Sequence, residues 1–225
     1  MAFNYSPKIV TDGLVLYLDA GNSLSYPGSG TTWTDLSRSM LSGSLVNGPT
    51  YSSANLGSIV FDGVDDYVDT TFKASTSIGN GNPFTISAIF KTGNLAQQML
   101  IGCPDNPRFY IEVFNRSGVL VNHWGIGNNN NSSTSTAVIN LNQIYNYVAT
   151  YDGNIAKGYL NGVLTDTDTI GSQSYNTNFL QVGKYTTGLP LYLSGSIYTT
   201  QIYNKALSAL EVLQNYNATK TRFGL

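Results

Sequence analysis

Charge is scarce in this chain. Lys, Arg, Asp and Glu make up 11% of its 225 residues and leave a net charge of −2, where an ordinary domain carries about 25% charged residues. No Lys/Arg cluster occurs, so the electrostatic footprint of a nucleic-acid binder is missing. Cys103 is the single cysteine, which excludes an intrachain disulfide and a cysteine-rich zinc site. It reads as a small buried apolar residue. No apolar run approaches the ~18 residues of a membrane span. Met1 to Ser6 shows no charged start followed by an apolar stretch, so no signal peptide is expected. Only two glutamates, Glu112 and Glu211, and one histidine, His123, are present, a thin supply for acid–base chemistry.

What the chain has instead is Tyr, Gly, Ser, Thr and Asn, the composition of a polar, uncharged β protein. Phe84 to Lys91 alternates, with Phe84, Ile86, Ala88 and Phe90 on one face. Arg108 to Phe114 does the same, setting Phe109, Ile111 and Val113 opposite Tyr110, Glu112 and Phe114. Tyr145, Tyr147, Ala149 and Tyr151 share one side of a further strand. That strand ends at Asp152-Gly153 and the next at Asn161-Gly162, both hairpin dipeptides, predicting a three-stranded meander from Ile144 to Thr169. Gly13 to Asp19 and Leu193 to Tyr203 read as strands, the first covered on both faces. Gly125 to Thr136, with four consecutive asparagines, reads as a polar surface loop. Trp33 is expected to pin a Gly/Ser/Pro-rich loop to the core, the alternative being an exposed platform. Ser208 and Glu211 form a capping box flanked by Leu207 and Val212, starting a short helix over 208–218 whose shared face is Ala209, Val212, Leu213 and Tyr216. Many short strands and one terminal helix predict an all-β, two-sheet antiparallel jelly-roll sandwich, a single domain over 1–225.

The segment Gly57 to Val68 brings three carboxylates together, Asp62, Asp65 and Asp66, around a Gly63 turn. Two readings stand: their oxygens hold the turn, or they bind calcium, with Asp152 or Asn154 from another loop completing a rim site.

Several segments occur together in a familiar order: GLVLYLDAGN (13–22), WTDLS (33–37), GSIVFDGVDDYV (57–68), FTISAIFK (84–91), YVATYDGNIAKGYLNGV (147–163) and GSIYTTQIYNKALSALEV (195–212). The chain resembles the concanavalin A-like, laminin-G-like jelly-roll superfamily in its bacterial and phage branch. The combination also looks like virion structural proteins of marine tailed phages. The resemblance implies a capsid decoration or tail-associated protein, assembled in the host cytoplasm and held by other virion proteins or copies of itself. It further implies calcium at a sandwich rim, while the tyrosines, tryptophans and asparagine-rich loops suit binding of cell-surface glycans. Arg38-Ser39-Met40-Leu41 departs from the Gly/Asn-rich turn such proteins carry after DLS, so a ligand role of that turn does not transfer.

Catalysis is not expected. Glu211 is used by the capping box and Glu112 stands alone on its strand. The alternating pair Asp166 and Asp168 has no apolar neighbour in sequence to raise a pKa, and reads as a solvated outer face. No G-x-S-x-G elbow occurs. Sugar binding rests on aromatic rings with placed polar groups around them, and the candidate contacts are His123, Trp124, Asn128 and Asn130. The alternatives to a virion surface role are a free-standing lectin-like module and a glycoside hydrolase.

Overall fold

The computed structural model describes residues 7–103, 107–127, 132–175, 177–185 and 191–225. In chain order the first strands are β1 (Leu14–Asp19), β2 (Thr32–Trp33), β3 (Gly43–Val46), β4 (Thr50–Ser52), β5 (Ser58–Asp62) and β6 (Tyr67–Thr70). Then come β7 (Phe84–Thr92), β8 (Gln98–Cys103), β9 (Arg108–Arg116), β10 (Val119–Gly127), β11 (Ser132–Ile139) and β12 (Ile144–Tyr151). The last are β13 (Ile155–Leu160), β14 (Val163–Thr169), β15 (Gln181–Val182), β16 (Lys184–Tyr185), β17 (Leu191–Tyr192) and β18 (Ser194–Tyr203), followed by helix α1 (Ala209–Phe223). Two antiparallel sheets form. The first runs β14-β13-β12-β7-β18-β5-β4, with β1 also on β18; the second runs β11-β10-β9-β8-β15-β6-β3-β2. β16 and β17 pair as a separate ribbon.

The alternation seen in sequence becomes the core. Phe84, Ile86, Ala88 and Phe90 of β7, Tyr145, Tyr147, Ala149 and Tyr151 of β12, and Phe109, Ile111 and Val113 of β9 meet between the sheets. The meander over 144–169 forms as expected, with Gly153 at φ 102 and Asn161-Gly162 at φ 50 and 78. Trp33 is wholly buried in the core, which excludes the platform alternative, and Cys103 is buried as expected.

Two elements differ from their sequence expectation. Gly125 to Thr136 is not one loop: Gly125 to Gly127 finish β10, and Ser132 to Thr136 belong to β11, which returns along β10. β11 lies at the edge of the second sheet, paired only with β10 among the described residues. The helix runs past 218 to Phe223 and stops at Gly224, φ 69. Its buried side is Val212, Asn215 and Phe223, whereas Leu213 is 41% exposed. The last turn is held by Phe223 against Tyr198, ring centroids 5.3 Å apart, and by Arg222 on Asp19 at 2.7 and 2.6 Å.

The helix decides where a site can lie. It covers the outer face of the first sheet, where Val148, Tyr159, Tyr203, Leu207 and Val212 cluster and Ile89 and Tyr198 pack on Phe223. The second sheet carries no such helix among the described residues. Its outer face is open toward β6, β15 and β3.

Candidate functional site

A groove of about 580 Å³ lies at one end of that open face, where β3 and β15 begin and β6 and β8 finish, lined among others by Ser44, Asp69, Lys73, Phe179 and Gln181. Strand geometry places these groups. On β6, Val68 and Thr70 are buried, which turns Tyr67 and Asp69 outward. Pairing then aligns Ser44, Asp69, Gln181, Gly102, Tyr110 and Gly125 in one row across six strands. Gln181 Nε2 donates to Asp69 Oδ1 at 2.6 Å. Phe72 and Leu180 are both fully buried and joined by Leu180 N–H donating to Phe72 C=O at 2.9 Å. With those anchors inward, their neighbours Lys73 and Phe179 emerge side by side, and the Lys73 ammonium lies 4.2 Å from the Phe179 ring centroid. Phe179 is 51% exposed. A half-exposed ring beside a carboxylate, an amide and hydroxyls is the donor–acceptor set that holds a polyol.

Farther along the face the groups are buried. Glu112 Oε1 lies 2.7 Å from His123 Nδ1, and Gln97 donates to Glu112 Oε2 at 3.0 Å. Tyr110 and Phe114 stand on either side of His123, centroids 5.9 and 5.2 Å away. The Tyr110 ring lies over Gly125, where any side chain would collide with it. Burial, then the charge of Glu112, pushes the Tyr110 hydroxyl well above the usual tyrosine range.

The sequence-predicted sugar contacts do not form one group. His123 and Trp124 are consecutive on β10 and therefore face opposite ways. His123 joins Glu112 on the outer side. Trp124 is fully buried between the sheets, with no ring face left for a sugar. Its Nε1 donates to Asp166 Oδ2 at 2.6 Å. Asn128 and Asn130 lie outside the described residues.

Asp166 corrects the expectation of a solvated pair. It sits opposite Gly158 on β13, whose missing Cβ leaves room for the carboxylate on the inner side. Burial raises its pKa, the hydrogen bonds from Trp124 and Thr165 counter this in part, and Asp168 adds to it.

Asp62, Asp65 and Asp66 do converge, with one oxygen of each within 4.8 Å of the others. Their hydrogen bonds are those of a turn: Asp62 Oδ1 accepts from Val64 N–H at 2.8 Å, and Asp66 Oδ2 accepts from Asp62 N–H at 3.0 Å. Burial, the largest influence, raises the Asp66 pKa. Asp152 does not join them. Tyr151 pairs with Phe84 at the start of β7, whereas Asp62 pairs with Ser194, next to the Gly195–Thr92 pair at its end. The length of β7 separates the two ends by about 25 Å. Asp152 Oδ1 instead accepts from Asn154 and Ile155 N–H in its own hairpin.

Sequence reasoning misses Asp69, Gln181, Lys73 and Phe179. Asp69 is within its reach, because Tyr67-Val68-Asp69-Thr70 alternates; nothing local marks Gln181 as its partner.

The arrangement defines a class: a jelly-roll sandwich with one sheet face sealed by a helix and the other open. Residues 62–213 match the family model described as the concanavalin A-like lectin/glucanases superfamily, laminin G type, and the chain belongs to that superfamily. No curated protein matches the sequence. Among solved structures, the chain is similar to the Trypanosoma rangeli sialidase in complex with sialic acid, with TM-score 0.68 and 16% identity over 93% of this chain and 33% of that one. It is also similar to the binding domain of botulinum neurotoxin DC in complex with SialylT, with TM-score 0.66 and 14% identity over 92% of this chain and 52% of that one. These likenesses concern the fold, and the chain spans about a third to a half of those proteins' lengths.

Proposed function

We propose that the protein is a non-enzymatic carbohydrate-binding module that takes its ligand on the open face of the second sheet. The observation that carries this reading is the groove in which the half-exposed Phe179 stands beside Asp69, Gln181 and Lys73. The neighbours in fold that are complexed with sialic acid and SialylT agree with a saccharide ligand. A binding role is favoured over glycoside hydrolysis by the spacing of the face's carboxylates. Asp69 on β6 and Glu112 on β9 are three strand spacings apart, about 14 Å, beyond the roughly 5–9.5 Å that paired glycosidase acids require. Both oxygens of Glu112 already have partners in His123 and Gln97.

The setting we infer is a phage virion surface, as a capsid decoration or tail-associated protein held by neighbouring virion proteins or its own copies. Its support is the ordered set of motifs from Gly13 to Val212. Two experiments test the two halves. A bacterial-surface glycan array, run with calcium and again with EDTA, is expected to give hits in both buffers; silence across the array removes the binding role. Sedimentation with phage particles, or a defined oligomer in light scattering, is expected for the virion role; a monomer that never pellets with particles removes it.

A further inference from the structure

Two ammonium groups on the open face meet no acidic partner among the described residues, and each rests on an aromatic ring. Lys73 Nζ is 4.2 Å from the Phe179 centroid; Lys184 Nζ is 3.6 Å from that of Tyr67 and 6.0 Å from that of Tyr192. Among the described residues, neither lysine lies within 4.0 Å of a carboxylate. Two carboxylates of the face are engaged by other groups, Asp69 by Gln181 and Glu112 by His123 and Gln97. Tyr67 and Asp69 share one side of β6, and Lys73 follows the strand. Asp69 therefore falls between the Tyr67 ring that holds Lys184 and Lys73 itself. A ring fixes an ammonium in place without neutralising it, so the ordering cost of meeting an anion is already incurred before the ligand arrives. An uncharged sugar would leave both charges unanswered.

We propose that this groove selects an acidic saccharide, one bearing carboxylate or sulfate groups, over neutral glycans. The inference rests on the carbohydrate-binding reading above and narrows it. In this arrangement Lys73 takes one anionic group at the mouth of the groove. Phe179 offers apolar surface to the adjoining sugar ring, and Asp69 with Gln181 holds hydroxyls. Lys184 then meets a second acidic group one step farther along, so a charged disaccharide or longer chain gains over a single charged sugar.

The test is calorimetric titration of the whole protein with size-matched neutral, uronate-containing and sulfated oligosaccharides, at low and high salt. The variants are Lys73→Gln, Lys184→Gln, their double and Lys73→Arg. The expected result is that an acidic ligand binds at least about tenfold more tightly than its neutral match, as a charge-assisted hydrogen bond supplies, with affinity falling as salt rises. The Gln double variant is expected to erase that difference and Lys73→Arg to keep it. A preference confined to uronates or to sulfates identifies the anion, and either supports the proposal. Equal affinity for neutral and acidic ligands, or a double variant that keeps the preference, overturns charge selection while leaving the groove as a sugar site. Absence of binding by every oligosaccharide overturns both.

Discussion

Gln181 Nε2 donates to Asp69 Oδ1 at 2.6 Å, joining residues 112 positions apart in the chain. The bond crosses from β15 to β6 at a paired register position, so it orients the carboxylate on the open face instead of leaving it to solvent. Removing either group is expected to weaken glycan binding without unfolding the protein, because both are half-buried. Asp69→Asn and Gln181→Ala should each cost about tenfold in affinity, the effect of one hydrogen bond to a charged group. Calorimetry alongside a thermal melt checks this; an unchanged affinity with a normal melt would count against the groove.

The Glu112–His123 contact at 2.7 Å is a structural one. Glu112 is 2% exposed, so losing a partner leaves a buried polar group unsatisfied. Glu112→Ala and His123→Ala are each expected to destabilise by about 1–3 kcal/mol. Because they share one interaction, the double variant should lose less than the sum. Urea unfolding of all four proteins measures it, and strict additivity would show that the pair does not act together.

Asp166 gives a pH signature. Its folded pKa is raised above the usual 3.8, chiefly by burial, so the native state holds the proton more tightly than the unfolded chain. The contribution to stability is present below the ordinary carboxyl value and is lost as pH rises through the raised one. Asp166→Asn removes that loss. The variant is expected to be more stable than the parent at neutral pH, with the gap narrowing as pH is lowered toward about 4, the ordinary carboxyl value. Melting curves between that pH and neutrality test it; a gap that widens on acidification would contradict the sign.

At the far side of the molecule, Arg222 meets Asp19 through two bonds at 2.7 and 2.6 Å, and Tyr17 donates to the same carboxylate at 2.9 Å. The Asp19 side chain is 4% exposed. Arg222→Ala leaves that charge without its cation and should cost about 3 kcal/mol. The same loss should free the final helical turn. Hydrogen exchange at residues 219–223 is expected to speed up before the strands do, and uniform exchange throughout would argue that the turn is not separately held.

Much of this fold is legible because its signals are local. Alternation in 84–90, 109–113 and 145–151 decides which side chains enter the core. Asp152-Gly153 and Asn161-Gly162 decide the meander, and Ser208 with Glu211 starts the helix. The differences arise where a decisive partner is distant. The helix continues beyond 218 because Tyr198 and Asp19 wait for Phe223 and Arg222. Asp166 turns inward because Gly158 stands opposite it, one hairpin away. His123 and Trp124 are neighbours in sequence, yet strand period alone sends them to opposite faces and rules out a shared sugar site. The Glu112–His123 pair is within reach of sequence: Ser117 and Gly118, at φ 54 and 88, centre the hairpin and set 112 against 123. The groove is not, since it needs β15 inserted between β6 and β8 from far along the chain.

If ligand enters the open face of the second sheet, the most direct test is NMR mapping of the first oligosaccharide found to bind, following amide shifts through a titration. Changes are expected to gather at Asp69, Lys73, Phe179 and Gln181, with little movement at Asp62, Asp65 and Asp66. Shifts centred on that aspartate turn, with the groove silent, would contradict entry at this face.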